Sequence, residues 1–288
     1  MQRVENPPPV RRRDPSTHKG TYGRVVIVAG SPRMPGAAVL ATRAALRGGA
    51  GLATAAIPTS LSPVLGSAVP EATQLLLPEP GAPRYRSALL DTLRQHSLGD
   101  FDAMAVGPGL DESCPTSSIL LEALLGDFTG PEVVDADALN LIAKRPDGLP
   151  EPQTGRVWTP HPGEFKRLTG ESPTGDSERV EAAKRFVRPG EVVVLKGHRT
   201  VVVDTERFYI NETGSPALAT GGSGDVLTGI LAALLGQGYP PFDAACLGVY
   251  LHGSAGDLAA AELSETSLIA GDITEYLPRA VRQYEGTS

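Results

Sequence analysis

Short apolar runs that stop at glycine, each followed by a stretch of strong helix formers, recur along most of this chain. That alternation limits its fold more than any other feature. In GRVVIVAGS, the run from Val25 to Ala29 has no polar face, as a strand buried on both sides requires. MPGAAVLATRAALRGGAG follows, with Pro35 placed to open a helix and Gly48-Gly49 to stop it. LATAAIP and FDAMAVGPGL read as further strands, the second ending in the turn Gly107-Pro108-Gly109. SSILLEALLGD reads as helix, EVVDADALNLIAK as strand into helix, and RVWTPHPGEFKRLTG as strand, turn and helix. Strands joined through helices run parallel and are covered on both faces. EVVVLKGHRTVVVDTERFYIN departs from this rhythm, because no helix fits between its apolar runs, and it predicts antiparallel strands at a sheet edge. Helices are predicted over 222–236, 241–263 and 271–284, with breaks at Pro240 and Gly271. The expectation is an α/β fold with a mostly parallel central sheet, helices on both faces and antiparallel edge strands, forming one domain over 21–288.

Composition narrows the functions such a fold can serve. Of the 288 residues 41% are hydrophobic and only 5% aromatic, which suits closely packed, Ala-rich helices. The formal net charge is −7, yet residues 1–20 carry five basic side chains (Arg3, Arg11, Arg12, Arg13, Lys19) against Glu5 and Asp14. The body is therefore more acidic than the total suggests, which argues against nucleic-acid binding. Arg11–Arg13 beside Pro7–Pro9 predicts a flexible, solvated basic tail over 1–20. Cys114 and Cys246 stand far apart with no CxxC motif, a reducing-compartment pattern without a disulfide framework or structural zinc. No apolar run approaches the ~20 residues of a membrane span and the N-terminus has no signal-peptide apolar region, so the expectation is a cytoplasmic protein without a membrane partner.

Ligands of such sheets bind at the carboxyl ends of the strands. Four junctions there are chemically unusual: GSPRMPGA, GPGL, TPHPGE and GGSGD. In the last, Gly221, Gly222 and Gly224 let an anion approach the backbone amides at the start of a helix, so Gly222, Ser223 and Gly224 form a candidate anion hole. The loop is neither GxxxxGK[ST] nor GxGxxG, since Leu227 stands where the third glycine would be. An ordinary capped helix, with Ser223 or Asp225 as the cap, is the structural alternative. A carboxylate in the first helical turn is stabilised as the anion, so Asp225 is expected to stay ionised and to be a poor base for a free proton. It still accepts a hydrogen bond from a hydroxyl that attacks a phosphoryl group held by the loop, which points to phosphoryl transfer to an alcohol.

GGSGDVLTG, together with LKGHRT, TPHPGE and VVDADALN, resembles the ribokinase-like superfamily. Within it, GSPRMPGA, AVGPGL, TPHPGE and ATGGSGDVLTGILAALLGQG together resemble the ADP-dependent NAD(P)H-hydrate dehydratases, over about residues 20 to 285. That resemblance implies a repair reaction, in which hydrated NADH or NADPH is phosphorylated on its hydroxyl by ADP and loses phosphate to restore the dihydronicotinamide. It implies Asp225 as the base, and Gly224 on the phosphate and nucleotide side. Lys196, Gly197, His198, Arg199 and Thr200 match the ADP-binding segment, and Ala37, Gly109 and His161 the contacts to the hydrated dinucleotide. Glu164 and Asn140 are second-layer or metal-associated candidates, and Mg2+ fits a nucleotide diphosphate, although no metal ligands can be read from the residues. Relatives imply a homotetramer and a functional link to a separate NAD(P)H-hydrate epimerase.

Other readings of the same residues stand beside these. His161 between prolines suits a turn cap, Lys196 an edge-strand lysine that blocks pairing, and His252 a satisfied packing residue. HPGE lacks the third ligand of a zinc site. The alternative enzyme is a small-molecule kinase acting on a vitamin-precursor alcohol such as a thiazole or pyrimidine. The alternative outside catalysis is a nucleotide-binding regulator, which an intact Asp225 within GSGD argues against.

Overall fold

β-Branched and small apolar residues build the centre of one ten-stranded sheet. The computed structural model describes residues 1–145 and 154–286. Its strands are β1 (Gln2–Val4), β2 (Arg24–Val28), β3 (Leu52–Pro58), β4 (Thr73–Leu77), β5 (Ala103–Val106), β6 (Glu132–Val134), β7 (Arg156–Trp158), β8 (Glu191–Leu195), β9 (Val201–Val203) and β10 (Arg207–Ile210). Its helices are α1 (Pro35–Arg47), α2 (Ser62–Ala68), α3 (Tyr85–Gln95), α4 (Pro115–Asp127), α5 (Asp137–Ala143), α6 (Pro162–Thr169), α7 (Asp176–Phe186), α8 (Ser223–Gly236), α9 (Pro241–Leu263) and α10 (Ala270–Glu285).

The strand order is β1-β10-β9-β8-β7-β6-β5-β2-β3-β4, and every pairing is parallel except β8 with β9 and β9 with β10. The period of two along β2 sends Val25 and Ile27 into one core with α1, α8, α9 and α10, and Val26 and Val28 into a second with α3 to α7. The chain runs outward from β2 through β3 and β4, then restarts at β5 on the other side of β2. That reversal falls between β2 and β5, and the carboxyl ends of strands at such a reversal are the usual ligand position of these sheets.

Helix α8 is the buried axis of the first layer, with Val226, Leu227, Ile230, Leu231, Leu234 and Leu235 out of solvent. Its approach to α1 requires Gly229, where a methyl would lie 2.1 Å from the Ala41 carbonyl oxygen. Truncating Ile230 to Ala in this contact would cost about 2–5 kcal/mol.

The three C-terminal helices fall within about a residue of their predicted limits. Two expectations change. The antiparallel strands lie next to the sheet edge, because β1 pairs in parallel outside β10. The N-terminal segment, expected to be flexible and solvated, is docked. The Arg11 guanidinium donates to the carbonyls of Gln237 (3.0 Å) and Gly238 (3.3 Å) at the end of α8, and Arg13 donates to Gly49 O (2.8 Å) beyond α1. Both also stack on tyrosines, Tyr239 and Tyr22, with each guanidinium 4.2 Å from the ring centre. Carbonyl ends of helices attract cations, and Arg11 and Arg13 of the charge run meet them there.

Candidate active site

The loops that follow the strands converge beyond their carboxyl ends. Gly107 lies so close to Asp135, after β6, that a methyl there would be 1.8 Å from the Asp135 carbonyl oxygen. Gly30 N donates to Pro108 O at 2.8 Å, joining the loops that follow β2 and β5. Three of the five non-glycine residues with positive φ, Asp111 (61°), Ala136 (51°) and Arg199 (55°), are in these loops. Left-handed conformations of this kind cost about 1–3 kcal/mol each and concentrate at functional sites.

Asp225 stands in the first turn of α8, whose N-cap Gly222 has φ 90°. A side chain at Gly222 would strike Leu40 Cδ1 at 2.5 Å, and its Cβ would lie 3.8 Å from Asp225 Oδ2. Leu40 is one turn of α1 beyond Ala37, and Ala37 in turn abuts Gly109, where a methyl would be 2.8 Å from the Ala37 Cβ. Ala37, Gly109, Gly222 and Asp225 therefore form one continuous wall. At Gly224 an added Cβ would lie 3.4 Å from Lys196 Nζ and 3.8 Å from Asp135 Oδ2, which joins the glycine loop to the LKGHRT segment.

Lys196 is no edge-strand lysine. β9 pairs beside β8, and the Lys196 ammonium turns inward to donate to Asp135 Oδ1 at 2.7 Å, with Glu164 Oε2 3.8 Å away. Thr228, on α8, donates to Asp135 Oδ2 at 2.7 Å. Burial alone would lower the Lys196 pKa, but Asp135, Glu164 and Asp225 together raise it, so the lysine stays charged.

The ionisation of Asp225 departs from the sequence-based expectation. Burial first, and the neighbouring Asp135 charge second, push its pKa up to about 7 against the opposing pull of Lys196. The dipole of a helix N-terminus is too small to offset desolvation beside another carboxylate. Among the described residues no hydrogen-bond donor is directed at Asp225, so its oxygens are free to receive a substrate hydroxyl. A carboxylate poised near neutrality is a competent general base.

His161 and Glu164 form a reciprocal cap at the start of α6. The His161 Nδ1 accepts from Gly163 N (2.9 Å) and Glu164 N (3.4 Å), and Glu164 Oε2 accepts from His161 N (2.7 Å). The turn-cap reading of His161 is thus realised, while its exposed ring still borders the Lys196 cluster. Burial lowers the His161 pKa and raises that of Glu164. Asn140 Oδ1 accepts from Arg167 Nε at 2.8 Å, and its side chain also bonds Asp137. Asp137 Oδ2 accepts from Asp111 N at 2.9 Å, and burial raises its pKa. Thr200 Oγ1 donates to Gly197 O at 3.0 Å, His198 is exposed, and the Arg199 side chain is bonded to Asp176 at 2.8 Å.

Ser223 supplies a contact that sequence reasoning missed. His252 Nε2 lies 3.0 Å from Ser223 O and 3.2 Å from Ser223 Oγ. A carbonyl only accepts, so Nε2 carries the proton, and burial pushes the His252 pKa down to about 4, keeping the ring neutral. His252 is the satisfied packing residue expected, and its polar edge anchors the glycine loop. Among the described residues no group of three or more His, Cys, Asp or Glu side chains is arranged to hold a metal. Asp135, the most central carboxylate, is already occupied by Lys196 and Thr228, so the donor set does not fit a resident cation.

The sequence profile described as NAD(P)H-hydrate dehydratase matches residues 25–279. The chain is similar to a bifunctional NAD(P)H-hydrate repair enzyme Nnr of Moorella thermoacetica, 45% identical over 95% of this chain and 52% of that protein. It is 36% identical to an ADP-dependent (S)-NAD(P)H-hydrate dehydratase of Bacillus subtilis, over 95% of this chain and 94% of the relative. It thus spans about half the length of the bifunctional relatives and nearly all of the shorter one. A crystal structure of an ADP/ATP-dependent NAD(P)H-hydrate dehydratase from Bacillus subtilis, co-crystallised with ATP/Mg2+, superposes with a TM-score of 0.80 at 33% identity, covering 96% of this chain and 95% of that one.

Proposed function

The chain belongs to the NAD(P)H-hydrate dehydratase family and has a ribokinase-like fold, and on that premise we propose that it dehydrates hydrated NADH and NADPH at the expense of ADP. The observation that carries this reading is Asp225, a half-buried carboxylate with a pKa near 7, one turn from the glycine loop and beside the Lys196 ammonium.

In this reading the hydrate hydroxyl donates its hydrogen to Asp225 as its oxygen attacks the terminal phosphorus of ADP, and the bond to the AMP oxygen breaks. The Gly222 and Gly224 amides and Lys196 stabilise the charge that develops on the phosphoryl oxygens, whereas the Ser223 amide, expected to share in the anion hole, donates to Thr220 O at 3.3 Å within the loop. Phosphate then leaves from carbon with its bonding electrons, the ring nitrogen supplies electron density, and loss of a proton from the adjacent carbon restores the double bond. The products are the dihydronicotinamide, AMP and phosphate. Ala37, Gly109 and His161 border the dinucleotide, while Gly197 to Thr200 and Gly224 face ADP. Mg2+ belongs to this reading as a companion of the nucleotide phosphates, whose charge it would neutralise, rather than as a resident of the carboxylates. Homotetramer assembly, cytoplasmic location and a link to an epimerase are part of the same reading and rest on resemblance. Among the described residues no helix is long and apolar enough to cross a membrane.

The test is to mix the protein with hydrated NADH and ADP and follow the return of dihydronicotinamide absorbance, with AMP and phosphate as products. ADP is expected to support faster turnover than ATP. Accumulation of a phosphorylated compound without phosphate release would identify a kinase instead.

A further inference from the structure

A guanidinium is buried beneath the turn that follows β8. Arg179, on α7, is only 7% exposed. Its Nη2 donates to Leu195 O at 2.6 Å, and its Nη1 donates to His198 O at 2.8 Å and Arg199 O at 3.0 Å. Burial lowers its pKa and the nearby Asp176 opposes that, yet the Asp176 carboxylate is bonded to Arg199 Nε at 2.8 Å. A charge this buried is ordinarily held by a carboxylate. Here three carbonyls of one turn hold it.

The geometry of the peptide unit gives that contact a consequence. In a trans peptide the carbonyl of one residue and the amide of the next point in opposite directions, and the described residues include no cis bond. Carbonyls of His198 and Arg199 drawn onto the guanidinium therefore turn the amides of Arg199 and Thr200 away from it. Arg199 has φ 55°, and an amide run bent through the left-handed region is a concavity that attracts anions. Gly197 fits the same arrangement, since it has φ 147° and a methyl there would stand 3.2 Å from Arg179 Nη2.

We propose that Arg179 is the positioning residue of this turn, holding the Arg199 and Thr200 amides toward the phosphates of a nucleoside diphosphate without touching the nucleotide itself. The identity of the ligand rests on the ADP-dependent reading above; the orientation of the turn does not.

Arg179→Met and Arg179→Lys in the full chain test this, with ADP and hydrated NADH as probes. In Arg179→Met the KM for ADP should rise by roughly 10- to 100-fold, the scale on which ångström displacements of positioning groups act, while the KM for hydrated NADH stays within about twofold. Arg179→Lys should recover part of the loss, because one ammonium reaches only some of the carbonyls. Amide hydrogen exchange over 197–200 in the ligand-free protein should accelerate in both variants, more in Arg179→Met. Equal rises in both KM values would overturn the proposal, as would unchanged ADP KM and unchanged exchange in a folded variant. If Arg179→Met does not fold, Arg179→Lys decides by the same readouts. A wild-type protein that neither binds ADP nor consumes hydrated NADH would sink the functional reading alone, and the exchange comparison would still decide the role of Arg179.

Discussion

Two clusters of buried charge occupy opposite ends of the same three strands, and they differ in balance. At the amino ends of β6, β7 and β8, Glu132, Arg156 and Glu191 stand in register, with Arg156 2.5 Å from Glu132 and 3.5 Å from Glu191. Arg188 adds a second cation, 3.0 Å from Glu191. Beyond the carboxyl ends, the Lys196 ammonium faces Asp135, Glu164 and Asp225. The first cluster has a cation for each carboxylate and joins strands. In the second, the surplus of negative charge together with burial leaves Asp225 able to take up a proton near pH 7. Burial raises the Glu132 pKa as well, but there paired cations oppose it, so similar residues join strands at one end and leave a carboxylate able to exchange a proton at the other.

The largest effect is expected from Asp225→Asn. Removing general-base assistance should lower turnover by about 10²–10⁴-fold while leaving ADP binding intact. The sign of the stability change is also set. With a folded pKa raised to about 7 from 3.8, the native state holds a proton that the unfolded chain releases, so stability conferred at low pH is lost as pH rises through 7. The Asn variant should therefore be more stable than wild type at pH 8, by a few kcal/mol at most at ~1.4 kcal/mol per pKa unit, and little changed at pH 4. Denaturant titrations at both pH values and steady-state kinetics check this. Near-wild-type turnover would remove Asp225 from the mechanism and direct attention to Glu164, Asp135 or Asp137.

The opposite end should respond in the opposite currency. Arg156→Met leaves two buried carboxylates without their shared partner and should cost about 3–5 kcal/mol in urea unfolding, with turnover per folded molecule preserved. A matching fall in the activity of the folded fraction would show that the two clusters are coupled through the strands.

Lys196→Met sharpens the comparison by deepening the imbalance. Its ammonium lowers the Asp225 pKa, so its loss should move the acidic limb of kcat/KM to higher pH, from about 7 upward. An unmoved limb would mean that Asp225 does not sense the lysine. The smallest effect is expected from replacing Arg11 and Arg13 with Met. These arginines bind the carbonyl ends of α1 and α8, on the structural side, so stability should fall by about 1–2 kcal/mol with turnover unchanged at 25 °C. A large fall in turnover of the folded protein would extend the functional side to the N-terminus.

Local features of this chain could be read without coordinates, because their causes lie within a few residues. Glycine and proline mark the limits of α8, α9 and α10, and unbroken apolar runs mark β2, β3 and β5. Helices α3 and α7 carry no comparable signal, since each buries few apolar residues, such as Leu89 and Val180, within a largely polar stretch. The glycine loop, the LKGHRT segment and the PHPGE turn were visible as unusual strand-to-helix junctions, and folding brings all three to one place.

Charge state and partnership were decided by tertiary structure alone. Lys196 meets Asp135 across 61 positions, Thr228 meets Asp135 across 93, and Arg11 reaches Gln237 across 226. No periodicity within a window of residues encodes such pairs. The sequence by itself determined that a carboxylate would open α8 behind a glycine turn, since backbone freedom and helix propensity are local properties. Whether that carboxylate ionises depends on how much water and which charges surround it after folding, and burial beside Asp135 moves its titration up to about 7, against the direction that the helix dipole alone suggests.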